Sequence, residues 1–176
     1  MTAITDFRHP LERAALELAG RWCAGHQIGH GRALPHAIDV AGALRDHVPN
    51  VDAEVVAAVL LHDAPYFAPD QVDLYPVLAA RLTPEVARIV RALEHEHATM
   101  DTSQLANLVE DRPVLLASTA DKLVSMANVL NRSDDPPAGF LRSVSYFVAF
   151  SEAARPQLPS AMATELEHLV EQARHL

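Results

Sequence analysis

Residues 55–69 read VVAAVLLHDAPYFAP: seven consecutive apolar side chains, Val55 to Leu61, run directly into His62-Asp63. Asn50 or Asp52 ahead of the run can cap a helix, and Pro65 behind the pair is placed to stop one. A helix that is apolar on every face has to be surrounded by others, so this third helix is expected at the centre of the molecule. An imidazole and a carboxylate at the end of a buried helix then need a compensating partner.

Outward from that stretch, the punctuation falls at short intervals and the segments between have a helical period, so an all-α protein is expected. Pro10 opens PLERAALELAGRWCAGH, with Leu11, Ala14, Ala15, Leu18 and Trp22 as one apolar stripe. The Gly/His-rich GHQIGHGRALP reads as a loop, after which Pro35 sits in the first turn of a second helix. APYFAPDQVDLYP reads as a loop or short turns. Thr83 as cap and Pro84 at the first position open TPEVARIVRALEHEH, with Val86, Ile89, Val90 and Leu93 facing inward. DTSQLANLVEDR reads as a short helix or loop, and Pro113 opens a long segment that is apolar except for the row Asp121, Ser125 and Asn128. SDDPP reads as a turn, and two C-terminal helices complete a bundle of about seven.

The chain of 176 residues is expected to fold as one domain spanning 1–176. With 49% apolar and 21% charged residues and no apolar run near the roughly 20 residues of a membrane helix, it reads as soluble. The first 20 residues carry charges throughout and lack the apolar core of a signal peptide, which points to the cytoplasm. The single Cys23 fits that compartment and reads as a small buried side chain. A formal charge of −9 argues against nucleic acid or an anionic membrane as partner, both of which require a basic face. A small anion held through a metal is compatible with it, and a homo-oligomer is left open.

Ten histidines make a metal site worth testing. His36 lies one residue after Pro35, His62 and Asp63 end the central helix, and Asp121 lies within LLASTADKLVSM. Each alone has a plainer reading, a surface histidine or a capping carboxylate. Together, in apolar surroundings, they would each cost several kcal/mol unpaired, and one divalent cation satisfies all four. Two imidazoles and two carboxylates without thiolate suit Mn, Fe or Zn, with Ni a further candidate. Such a cation polarises a phosphoryl oxygen and lowers the pKa of coordinated water from about 15.7 towards about 7.

PHAIDVAGAL, AAVLLHDAP and ASTADKLVSMANVLNR resemble the HD-domain metal phosphohydrolases, most closely the alarmone (guanosine tetraphosphate) 3'-pyrophosphohydrolases, over about Gly25 to Arg155. The resemblance implies an all-helical domain holding one Mn ion on His36, His62, Asp63 and Asp121. It places His26 near the site, gives Arg32 as the basic residue that packs on the guanine, and aligns Glu94 to His97, EHEH, with a stretch lining the substrate pocket. It also marks two departures. The family's Glu-Asp pair, which positions and activates water, is here Tyr66-Phe67, and its sugar-contacting asparagine is Ser125. Phenol and phenyl rings cannot do carboxylate work near neutral pH, tyrosine having a pKa of about 10.

The expected function is therefore a metal-dependent phosphohydrolase acting on a nucleotide or small phosphorylated metabolite. Asp70 or Asp73 would assist as base, and Arg32 or Lys122 would meet phosphate. A catalytically altered relative that binds a nucleotide or partner is the other expectation. A third is a two-iron HD oxygenase, for which His95 and His97 lie in the required interval, but two residues apart on one segment.

Overall fold

The computed structural model describes residues 7–28, 31–131 and 136–176. Ten α-helices are found among them: α1 (Pro10–Cys23), α2 (Ala33–His47), α3 (Ala53–Leu60), α4 (Ala64–Phe67), α5 (Leu74–Arg81), α6 (Pro84–Thr99), α7 (Leu105–Glu110), α8 (Arg112–Leu130), α9 (Ala138–Ala154) and α10 (Ser160–Ala173). The all-α expectation holds. Residues 133–135 of the expected SDDPP turn lie outside the described residues.

The apolar run is where the sequence put it. Val55 to Leu61 are all buried, and α3 packs on α1, α2, α6 and α8. Its burial on every side follows from having no polar face to offer water. The shared core brings Leu18 of α1, Leu44 of α2, Ile89 of α6 and Leu115 of α8 around it. Cys23 is buried as well; burial, with Asp63 nearby, pushes its thiol up to about 12, which keeps it protonated near neutral pH.

Three local expectations are corrected. Pro65 does not stop α3. The helix ends at Leu60 and tightens, Leu61 N–H donating to Ala58 and His62 N–H to Val59, before Pro65 enters the first turn of α4. A missing N–H costs nothing at that position, so Pro65 starts a helix instead. The tail of APYFAPDQVDLYP likewise begins α5, with Pro76 as its third residue, where helix N–H groups are still without intrahelical partners. Finally, part of the Gly/His-rich loop is a small antiparallel ribbon, β1 (Gln27–Ile28) on β2 (Gly31–Arg32), pairing Gln27 with Arg32 and Ile28 with Gly31.

The cap expected at Thr83 forms, whereas Asp52 precedes α3 without a side-chain cap hydrogen bond. Thr83 accepts a hydrogen bond from Val86 N–H, and Asp111 caps α8 through Val114 N–H while also holding Arg88 of α6. The last turn of α6 closes on Met100, whose φ of 44° lies in the left-handed region. Among the described residues no helix is long and apolar enough to cross a membrane.

Candidate metal centre

The tight turn after α3 carries His62 and Asp63, each 2% exposed, into the space between α2 and α8. His36 comes from the first turn of α2 and Asp121 from the middle of α8. One donor atom each from His36, His62 and Asp121 lie within 4.8 Å of one another. Asp121 Oδ1 stands 3.0 Å from His36 Nε2 and 3.6 Å from His62 Nε2, while Asp63 Oδ1 lies 3.4 Å from His62 Nε2.

The turn also fixes which imidazole nitrogen is available. His62 Nδ1 is 2.6 Å from the Val59 carbonyl, which can only accept, so Nδ1 carries the proton and Nε2 carries the lone pair. That Nε2, like Asp63 Oδ2, is buried without a hydrogen-bond partner among the described residues. Buried polar atoms left this way are costly, and a cation is the partner that suits a lone pair beside two carboxylates. A backbone carbonyl orienting the far nitrogen of a ligating histidine is the usual support in metal sites. On α8, Ser125 Oγ donates to Asp121 Oδ1 at 3.1 Å, which holds that carboxylate in place.

Electrostatics agree with the geometry. Burial opposes the charge on Asp121, but the hydrogen bond from His36 and the close imidazoles of His97 and His62 hold its carboxyl well below the ordinary range. Burial lowers the basicity of His36, yet Asp121, Asp63 and Asp39 outweigh it, so His36 keeps its proton above the usual 6.5. Protons and metal then compete for His36, and metal affinity is expected to rise with pH. Each unit below the raised value costs up to about tenfold for one histidine. Calorimetric titration between about pH 6 and about pH 8 checks it; a dissociation constant that does not change would remove His36 from the donor set.

The centre forms one wall of a cavity of about 880 Å³, a size that holds a nucleotide-sized ligand. Tyr66, half exposed, and Phe67 border it from α4; Ser125, Asn128 and Val129 come from α8, and Phe140 and Phe147 from α9. The expected polar row of α8 thus faces the cavity. Its remaining wall is largely apolar.

The other residues singled out in the sequence are distributed differently. Asp70 and Asp73 are exposed between α4 and α5 and do not border the cavity; among the described residues the carboxylates that do are Asp63 and Asp121. Arg32 is exposed on β2 and also stands outside the lining, although Gly31 beside it belongs there. His26 is exposed and stacks on Phe67, ring centroids 4.7 Å apart, so it supports the α4 wall and not the metal donors. Lys122 borders the cavity, but its ammonium is taken by Glu96 at 2.5 Å and by Ser118 at 2.8 Å.

Helix α6 shows why EHEH cannot act as a unit. At about 100° per residue, residues two apart point nearly opposite ways. Glu94 accepts from Tyr75 on α5, and His95 is exposed in a separate cleft of about 200 Å³. Glu96 is buried against Lys122 and receives Tyr146 O–H at 2.7 Å. His97 enters the cavity beside Asp121. So His95 and His97 do not both reach the site, and the two-iron arrangement that uses the pair is not formed. The sequence did hold the signal for Glu96 and His97: they continue the inward stripe of Ile89, Val90 and Leu93 at helical spacing, whereas Glu94 and His95 leave it.

Comparison with protein-family models gives no match, and comparison with curated proteins gives none either. Among solved structures, the chain is similar to that of a metazoan ortholog of SpoT, described as hydrolysing ppGpp and playing a role in starvation responses. That likeness has a TM-score of 0.74 at 18% identity and covers 97% of this chain and 99% of the other. At that identity the likeness speaks for the fold alone: the chain shares the all-helical fold of that protein.

Proposed function

We propose that the protein is a metal-dependent phosphohydrolase of the cytoplasm acting on a nucleotide or related small phosphorylated metabolite, with an alarmone-type pyrophosphate ester as one candidate. The observation that carries it is the convergence of His36, His62 and Asp121, with the unpartnered Nε2 of His62, on the wall of a nucleotide-sized cavity. His36, His62, Asp63 and Asp121 would hold the cation. The resemblance to alarmone hydrolases favours Mn, and Fe, Zn and Ni suit the same donors. A cation there supplies Lewis acidity to a phosphoryl oxygen and to water.

The chain's own residues do the rest. Val59 fixes the tautomer of His62, and Ser125 fixes the rotamer of Asp121, so the donors are oriented before anything binds. Tyr66 and Phe67, set edge to face, provide aromatic surface at the approach against which a ring could pack. No step is assigned to Asp70 or Asp73, which stand away from the cavity.

One observation favours a second reading. Tyr66 and Phe67 border the cavity from the segment where the alarmone hydrolases carry their water-activating acids, and among the described residues the carboxylates that line it are Asp63 and Asp121. A protein so altered could bind a nucleotide without hydrolysing it. A screen of nucleotides and phosphorylated metabolites with metal-replete protein separates the two. Release of phosphate or pyrophosphate is expected, and it should disappear in Asp121→Ala. Ligand-induced thermal stabilisation with no release from any compound would establish the binding reading instead.

A further inference from the structure

The sequence set His36 and His62 on one cation and offered His95 and His97 only to a two-iron arrangement; the fold brings His97 alone to the first pair. We infer that His97 is a direct ligand of the same cation, so that the site is built from three nitrogens with Asp63 and Asp121. The inference rests on the metal-binding reading above.

Asp121 is the hub of the centre. Its Oδ1 faces His36 and His62, and its Oδ2 lies 3.1 Å from His97 Nε2. The three imidazole Nε2 atoms are therefore all within 3.6 Å of one carboxylate, though His97 stands outside the tighter group of three, at the other oxygen. The ring of His97 meets that of His62 edge-on at 6.1 Å between centroids, close to the 5.2 Å between His36 and His62. His97 Nε2 is buried and, despite its distance from Oδ2, is not aligned as a hydrogen bond; among the described residues it has no hydrogen-bond partner. A cation facing both oxygens of Asp121 would have all three rings as neighbours of the carboxylate that holds it.

The backbone fixes His97 there. It occupies the last turn of α6, one residue after Glu96, which is bound by Lys122 of α8 and Tyr146 of α9. That buried link ties the end of α6 to the same helix that carries Asp121. His97 is thus placed by the core, while His95 is free to face solvent.

A third imidazole changes the metal preferred. Nitrogen donors suit Fe, Co, Ni, Cu and Zn better than Mn, whose partners are carboxylate, carbonyl and water. His97→Ala should then loosen Co(II) and Zn(II) by at least about tenfold, and Mn(II) by less.

The decisive experiment loads the full chain with Co(II) and counts the hyperfine-shifted, exchangeable imidazole N–H resonances by proton NMR. Three are expected in the wild-type protein and in His95→Ala, and two in His97→Ala. Two in the wild type, unchanged by His97→Ala, would overturn the inference while leaving a metal site on His36 and His62. No shifted imidazole resonance at all would overturn the metal-binding reading and this inference with it. The wild-type count decides even if His97→Ala does not fold.

Discussion

Asp121→Ala is expected to abolish metal binding, lowering affinity on the order of 100-fold or more, because this one carboxylate is shared by every imidazole of the centre. In the wild-type protein, metal at about 100 times its dissociation constant should add about 2.7 kcal/mol. For a chain of this size that corresponds to a rise in Tm of roughly 5 to 11 °C. Thermal melts of the variant should show no such rise. A metal-dependent shift as large as that of the wild type would mean that the cation sits elsewhere.

The metal-free protein should also change its response to pH in that variant. His36 and His97 both hold protons above 6.5; in each case burial opposes the charge and the carboxylates outweigh it. A group whose folded pKa is raised contributes stability that is complete below its unfolded value and is lost as pH rises through the folded value. The apo wild-type protein therefore loses this contribution on going from mildly acidic to mildly alkaline pH. Without Asp121 the main cause of the two shifts is gone, and that part of the dependence should flatten.

The largest effect on stability is expected at Lys122. Its side chain and that of Glu96 are each 5% exposed, and the pair links α6 to α8, with Tyr146 of α9 on the same carboxylate. The ammonium also lies 4.4 Å over the Phe150 ring. Lys122→Ala removes one partner of a buried pair and leaves the other charge uncompensated, which costs about 3 to 5 kcal/mol. That is a fall in Tm on the order of 10 °C. The double variant Lys122→Met, Glu96→Leu should be more stable than either single change, because an apolar pair leaves no orphaned charge. A double variant as unstable as the sum of its parts would show that packing volume, and not charge, governs this position. Lys122 therefore borders the cavity with its ammonium already bound by Glu96 and Ser118.

Several features were legible because they depend on side chains close together in the chain. The unbroken apolar run Val55 to Leu61 required a surrounded helix, and α3 is one. Thr83-Pro84 marked the start of α6, and the row Asp121, Ser125, Asn128 marked the cavity face of α8. His36, His62 and Asp121 were brought under suspicion by being ionisable where little water could reach them, and their donor atoms do meet. Prolines misled where position within a first turn decides their meaning. Pro65 and Pro76 lie inside the starts of α4 and α5, where a missing N–H is harmless.

What the chain order alone determined, then, is the class of fold and the chemical character of the site: an all-α bundle with imidazoles and carboxylates delivered to its interior. Which of those groups share a site was settled by tertiary packing. Asp70 and Asp73 follow soon after Asp63 in sequence but end at the surface, whereas His97, 24 residues before Asp121, comes within 3.1 Å of it. Lys122 was committed to Glu96 by the approach of α6 to α8. The reason is physical: periodicity reports which face of a helix is buried, but a ligand set depends on the angle and register at which separate helices meet, and those are set by how their side chains interlock.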